Sequence, residues 1–347
     1  MEVPWYVPRM ATLSDVATHA GVGIGTASRV VNGSPQVSPE TRLRVQAAML
    51  AVGYEPTVRR RNEQVRPTGA VGVLVPFFDE PSSLLRVRGI VDQLQPHRMR
   101  IVLHQVTSPA QAREAAMELP TDSTLAALLV ISLPLTNADA GALSAAPFPV
   151  VLLDTRVPDG VAWAAPTVRI DDRAGGALAT RHLLDLGHRR IGFIGEPADN
   201  PFGFTSSAQR EAGFRSELAA VGLVPDAALV RHAPHLRAAA RQLATDMLTL
   251  AEPPTAIVAA SDVQAVGVLE AAAALGVSVP RQLSVIGFDD IELASLMGLT
   301  TVRQPLELSG RRAADLVVQA IGATPLSPFT DEMSLELVVR STTRPPG

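Results

Sequence analysis

The chain has 347 residues, 47% of them apolar, with a mean hydropathy of +0.20; it can bury a sizeable core and is too long for one small domain, so two or three are expected. The absence of cysteine excludes disulfides and thiolate metal sites, and no run approaches the roughly eighteen apolar residues of a membrane-spanning helix. The formal charge of −4 is uneven: residues 1–69 carry eight arginines and five acids, or +3, which leaves −7 on the rest, a basic head on an acidic body.

The first ten residues, MEVPWYVPRM, lack the charged start and apolar stretch of a secretion signal. Met10 offers a second possible start, and residues 1–11 are read as an N-terminal extension. From Thr12 the pattern turns helical. Leu13, Val16, Ala17 and Ala20 recur on one helix face, Thr12 can cap it with Ser14 and Asp15 in the first turn, and Gly21 ends it. Gly21, Gly23 and Gly25 suggest a nucleotide loop, but Thr26 and Ser28 stand where its third glycine belongs and no strand precedes them. The glycines therefore shape turns. A second helix starts near Ile24 with Ala27, Val30 and Val31 on one face, and Asn32-Gly33 closes it.

A third helix opens at Ser38-Pro39-Glu40, runs through Leu43, Val45, Ala48, Met49 and Val52, and ends at Gly53. Helix, tight turn, helix, loop, helix is the helix-turn-helix plan, which places its second helix in the major groove. A generic three-helix unit shares the pattern. Thr26, Ser28, Arg29 and Asn32, all able to bond bases or phosphates, favour DNA.

After residue 70 short apolar runs (70–76, 100–106, 127–133, 149–154, 190–195, 255–260 and 283–289) alternate with alanine-rich helical stretches (174–186, 208–221, 236–250 and 262–275). Buried parallel strands alternating with helices predict doubly wound α/β sheets, in two lobes at this length. Ligands in such folds sit beyond the carboxyl ends of strands, where Pro76, Asp79, Asp154, Ser261, Asp262 and Asp289 fall. Asp262 could equally cap the helix that follows it. Arg210, in SSAQREAGF, reads on its own as a solvated group. His188, beside Gly187, reads as structural. No nucleophile elbow, Walker loop or zinc-protease motif appears, so no enzyme, metal or cofactor is expected.

Residues 12–56 (TLSDVATHAGVGIGTASRVVNGSPQVSPETRLRVQAAMLAVGYEP) resemble the DNA-binding head of the LacI/GalR family, and the likeness continues through GAVGVLVP, VRIDDRAGGALATRHLLDLGHRRIGFIG, QREAGF, LSVIGFDDIELA, LTTVRQP and LELVVRSTT. The resemblance implies a dimeric, cytoplasmic, nucleoid-associated repressor. Its helix-turn-helix domain spans 12–56, a hinge linker 57–69, and an effector-binding and dimerisation body 70–347 resembling type I periplasmic binding proteins. The expected lobes are 70–165 with 295–325, and 166–294 with 326–342. The partners implied are a pseudo-palindromic double-stranded operator and a small polar effector such as a sugar.

By the same resemblance, Ile24 and Gly25 fall where the family chooses bases, and Thr26, Ser28, Arg29 and Asn32 where it touches bases and phosphates. Thr12, Gln36 and Ser38 complete that set. Gly25 offers no side chain, which shifts readout to Ile24, suited to a thymine methyl, and Arg29, suited to guanine. In the linker Pro56 and Arg61 fit the family's hinge helix, whereas Thr57 and Arg60 depart and Glu63 replaces the leucine that wedges into the minor groove. Either Val65 takes that place, or Arg59, Arg60 and Arg61 hold the backbone with less bending. In the body Arg210 matches the effector arginine and Asp289 the facing acid across the cleft. Pro76, Asp79, Asp154, Ser206, Ser261, Asp262 and Gln304 are the further pocket positions.

Glu80-Pro81-Ser82-Ser83 replaces the family's aromatic-rich segment. This implies a larger or more polar ligand, or aromatic contact from Phe77, Phe78, Trp163 or Phe202. The end at Pro346-Gly347, with no heptad segment, suggests a dimer rather than a tetramer. A sugar-binding protein or enzyme on the same body would need a secretion signal or catalytic groups, and a head that had lost its sensor would show apolar residues at 210 or 289.

Overall fold

The computed structural model describes residues 12–31, 37–52, 69–163, 165–322 and 328–347. The chain divides into two compact units, 1–65 and 66–347.

In the first unit α1 (Leu13–Ala20) opens on a capping box. The Asp15 N–H donates to the Thr12 hydroxyl at 3.3 Å and the Thr12 N–H to the Asp15 carboxylate at 2.7 Å. Gly21 ends the helix at φ 63°, a conformation cheap only for glycine, and its N–H reaches the Ala17 and Thr18 carbonyls. Helix α2 (Ile24–Val31) starts where the Thr26 and Ala27 N–H groups donate to the Gly23 carbonyl. Ser38 caps α3 (Pro39–Ala51) through the Thr41 N–H. Val16, Ala17, Ala20, Ala27, Val30, Val45 and Ala48 close one small core. The predicted Asn32-Gly33 turn, Gln36, Gly53 and the linker with Arg59, Arg60 and Arg61 lie outside the described residues.

The second unit is two α/β lobes. The first alternates β1 (Ala70–Pro76), α4 (Pro81–Leu94), β2 (Ile101–Val106), α5 (Pro109–Glu118), β3 (Leu125–Ile131), α6 (Asn137–Ser144), β4 (Val150–Leu153) and β5 (Thr167–Arg169). The chain crosses to the second lobe as α7 (Asp172–Asp185), β6 (Ile191–Gly195), α8 (Ser206–Ala220), β7 (Val230–His232), α9 (Arg237–Leu248), β8 (Ala256–Ala259), α10 (Asp262–Ala274), β9 (Ser284–Asp289), α11 (Glu292–Leu296) and β10 (Thr300–Arg303). It returns for α12 (Leu306–Gly322) and β11 (Thr330–Glu332), then crosses once more to β12 (Glu336–Val338).

The sheet orders are β11-β5-β4-β3-β1-β2 and β12-β10-β9-β8-β6-β7, parallel throughout except that β12 runs antiparallel to β10. The first sheet is buried on both faces by two apolar clusters, around Val73, Leu129 and Leu153 and around Leu74, Leu128 and Leu152, the second likewise around Phe193, Val258 and Phe288 and around Ile257, Val268 and Val285, each aliphatic side chain contributing about 1.5–3 kcal/mol.

Sheet membership corrects the expected lobe boundaries. Strand β5, expected in the second lobe, pairs with β4 in the first sheet, β10 pairs with β9 in the second, and β11 pairs with β5 in the first. These three- and four-residue strands lie toward one edge of each sheet, around the crossings, and runs so short carry no apolar signature that favours either sheet.

Candidate functional site

Two surfaces hold the residues singled out in the sequence. In the head, α2 presents Ile24 at 56% exposure, Gly25 and Arg29 exposed, and Thr26 and Ser28 half-buried, while Ala27 and Val30 anchor the opposite face. An added Cβ at Gly25 would meet none of the described residues within 4 Å, so among them this glycine leaves open surface rather than serving a packing need. Thr12 and Ser38 are exposed, and their hydroxyls are engaged in capping α1 and α3.

The second surface lies between the lobes at the carboxyl ends of the strands. Left-handed backbone at non-glycine residues gathers there: Phe77 (φ 43°) follows β1, Ser132 (51°) β3, Asp154 (53°) β4, and Asp289 (120°) and Asp290 (59°) lie at the end of β9. Such residues cost about 1–3 kcal/mol each and cluster at functional sites.

A buried polar chain runs through these ends. From the second lobe, Arg210 on α8 donates from Nε to Asp172 Oδ1 at 2.8 Å and from Nη1 to the Ala260 carbonyl at 2.5 Å, stacks over Phe288 at 3.7 Å, and holds Asp289 Oδ1 at 3.8 Å. Gln304, at the crossing from β10 to α12, donates from Nε2 to Asp289 at 2.5 Å and accepts from Arg86 Nη2 at 3.0 Å. Arg86, on α4 of the first lobe, also donates to Asp154 Oδ2 at 2.7 Å. Arg86, Arg210, Asp289 and Gln304 are each at most 8% exposed. Burial raises the Asp172 and Asp289 carboxyls, and Arg210 opposes that in both.

Arg210 and Asp289 therefore come together as predicted, but both belong to the second lobe. The expected pairing across the cleft is corrected: the crossing link is Arg86–Gln304–Asp289, and the closer carboxylate on Arg210 is Asp172. Asp262 is corrected as well. Ser261, not Asp262, caps α10, and Asp262 is fully buried with its oxygens held by the Thr301 hydroxyl at 2.6 Å and the Ile291 N–H at 3.0 Å. Burial, then the neighbouring Asp289 charge, pushes its carboxyl up to about 8. Pro76 is buried at the end of β1, Asp79 is exposed, and Ser206 is half-buried as the first residue of α8. His188 is structural as read, 2% exposed between Thr255, Ser284 and the Arg344 carbonyl.

A cavity of about 670 Å³ opens beside this chain, with Asp154 and Asp172 on its wall together with Trp163, Thr205 and Gln209. Of the aromatic residues named from the sequence, Trp163 lines the cavity, and Phe77 of the first lobe meets Phe202 (5.1 Å, edge-on) and Phe204 (6.5 Å) of the second. His235 forms a second bridge, 3.1 Å from Glu196 and 3.8 Å from Glu80 of the opposite lobe.

Sequence reasoning missed Arg86, Asp172, Phe204 and the His235 bridge. Arg86 had one legible signal: Ser82-Ser83-x-x-Arg86-x-x-Gly89 repeats the spacing Ser206-Ser207-x-x-Arg210-x-x-Gly213.

Known proteins resemble this chain from end to end. Residues 12–57 match the bacterial regulatory proteins of the lacI family, and residues 180–343 match a periplasmic binding protein-like domain. The HTH-type transcriptional regulator MalR of Streptomyces coelicolor is 34% identical, over 96% of this chain and 97% of its own. The solved complex of the transcriptional regulator CelR with cellobiose is 32% identical with a TM-score of 0.69, covering 96% of this chain and 99% of that one. The lac repressor dimer bound to operator and the anti-inducer ONPF is 27% identical with a TM-score of 0.67, covering 97% and 100%. These relatives are DNA-binding regulators, not enzymes.

Proposed function

This chain belongs to the lacI family of bacterial regulatory proteins, and on that footing we propose that it is a transcriptional repressor whose operator affinity is set by a small polar effector, a sugar. Two copies pair through their bodies, each head takes one half of a pseudo-palindromic site through the exposed face of α2, and the protein works in the cytoplasm on the nucleoid. Asn32, Gln36 and Arg59, Arg60 and Arg61 add to the DNA-facing set. Pro76, Asp79, Ser206 and Ser261 line the effector cleft around Asp154, Asp289, Arg210 and Gln304, with Asp262 behind them as a buried support.

The observation that carries this reading is the buried chain Asp154–Arg86–Gln304–Asp289–Arg210–Asp172, which joins the lobes at their strand ends. Charged groups are buried where apolar packing would be simpler, beside a cavity large enough for a mono- or disaccharide. A ligand seated against these groups changes the angle between lobes, and a changed angle at a paired interface moves the heads. The full-length likeness to one protein solved with cellobiose and one solved on operator DNA supports both halves.

Thermal denaturation against neutral mono- and disaccharides, purine bases and polyols tests it. A ligand at 100 times its Kd adds about 2.7 kcal/mol. The expected result is a raised Tm for at least one sugar, lost in Arg210→Ala. A Tm unmoved by the whole panel counts against the sensor.

A further inference from the structure

The two lobes carry the same device twice. Helix α4 follows the first strand of its sheet with Ser82-Ser83-Leu84-Leu85-Arg86-Val87-Arg88-Gly89, and α8 follows the first strand of the other with Ser206-Ser207-Ala208-Gln209-Arg210-Glu211-Ala212-Gly213. Corresponding residues do corresponding work. Ser83 donates to the Pro76 carbonyl at the end of β1 (3.3 Å), and Ser207 accepts from the Glu196 N–H just past β6 (2.8 Å). Gly89 lies against the Glu307 carbonyl of α12, and Gly213 against the Arg173 carbonyl of α7. The Arg86 carbonyl in turn lies against Gly310 of α12, and the Arg210 carbonyl against Gly176 of α7. A Cβ at any of these four glycines would strike backbone, so each arginine is set by backbone-to-backbone contact that does not slide.

The two arginine heads are matched too. Arg86 donates to Asp154 and Arg210 to Asp172, and these two carboxylates stand on the wall of the same cavity. Both arginines are more than nine-tenths buried, and Arg86 Nε has no hydrogen-bond partner among the described residues. Among the described residues the cavity wall holds five carboxylates and three arginines, together with the Trp163 ring. Arg86 and Arg210, just behind the wall, already neutralise two of these carboxylates, Asp154 and Asp172, so the lining carries no net charge to hold an ion. It suits hydroxyl groups that donate to carboxylates, and a sugar ring that stacks on tryptophan.

We infer that Arg86 is a positioning residue for effector binding, the first-lobe counterpart of Arg210, and that each lobe offers one arginine-held aspartate, Asp154 and Asp172, to an uncharged polyol. This rests on the effector-cleft reading above, takes its sugar as given, and adds the second arm of the grip. A ligand held by one carboxylate from each lobe reports the lobe angle directly, which one-sided binding does not.

Titration calorimetry and thermal shift with cellobiose, maltose, galactose and ribose as neutral probes, and glucose 6-phosphate as the anionic probe, test the inference on the full-length protein. Wild type is expected to bind a neutral probe at least tenfold more tightly than the phosphate. Arg86→Leu and Arg210→Leu each weaken that probe at least tenfold. Arg86→Lys, which keeps a cation beside Asp154, recovers part of the loss and serves if the leucine variant does not fold.

A structural role alone would lower the Tm of the unliganded variants and leave sugar affinity within twofold. If Arg86 variants keep wild-type affinity while Arg210→Leu loses it, the inference fails and the sensor stands. Tighter binding of the phosphate overturns the ligand class. No response of wild type to any neutral probe overturns the inference together with the sugar-sensor reading.

Discussion

The imidazole of His235 lies 3.8 Å from the carboxylate of Glu80, a contact made from one lobe to the other. Burial pulls the imidazole down, but the Glu196 hydrogen bond and the charges of Glu196, Glu80 and Asp289 outweigh it, and the net direction is up. A histidine raised in the folded state contributes stability that is fully present below its usual value near 6.5 and is lost as pH rises through the raised value. Stability measured by urea unfolding is therefore expected to fall as pH increases above about 6.5, and His235→Gln to flatten that fall. An unchanged pH profile in the variant would remove the bridge from the account.

Asp262 gives a second, separable pH effect. Its carboxyl is pushed up to about 8 from an ordinary 3.8. Between those values the folded chain holds a proton that the unfolded chain has lost, so stability declines as pH rises from about 4 to 8. Asp262→Asn can keep both bonds, because the Thr301 hydroxyl can turn to accept, and it removes the ionisation. It is expected to be more stable than wild type at pH 8.5 and close to it at pH 4. Equal stability of the two proteins at pH 8.5 would contradict the assignment.

The jammed helix pairs set a steric prediction. At Gly176 an added methyl group meets the Arg210 backbone, which cannot turn aside as a side chain can. Gly176→Ala is expected to cost about 3 kcal/mol, the upper end for overpacking, and to weaken effector binding by displacing Arg210. Gly310→Ala is its match in the first lobe. Chemical denaturation with calorimetry on the same samples checks both.

The head gives the opposite glycine. No described residue crowds Gly25, so Gly25→Ala is expected to stabilise the domain by about 0.5–1 kcal/mol through helix propensity, while altering base preference. Arg29→Ala is expected to cost about 1–3 kcal/mol of binding at one base position. Anisotropy titrations on operator variants at fixed salt separate the two, since loss of a phosphate contact would weaken all sequences alike.

Much of this was legible in the sequence where signals are local and periodic. Thr12 with Asp15, Gly21 and Ser38-Pro39 marked helix ends that the backbone reproduces, and the continuous apolar runs became the central strands. Strands β5, β10 and β11 were misallotted or unseen because pairing partner, not composition, decides which sheet takes a run of three or four residues. Arg210 was found through resemblance. Arg86 was not, because a lone arginine on an amphipathic helix reads as solvated, and only burial against Asp154 and Gln304 distinguishes it. Position after a strand marks Asp262 as cap or ligand group and does not reveal that Thr301 and Ile291 already occupy its oxygens.

The most direct measurement is operator affinity with and without sugar. An operator duplex selected from a palindromic library would be titrated by fluorescence anisotropy, with and without a sugar that raises the Tm, for wild type and Arg210→Ala. The account predicts that the sugar changes wild-type affinity by tenfold or more, about 1.4 kcal/mol of coupling, while Arg210→Ala binds the duplex but does not respond. Affinity that stays the same at saturating sugar in wild type would contradict it.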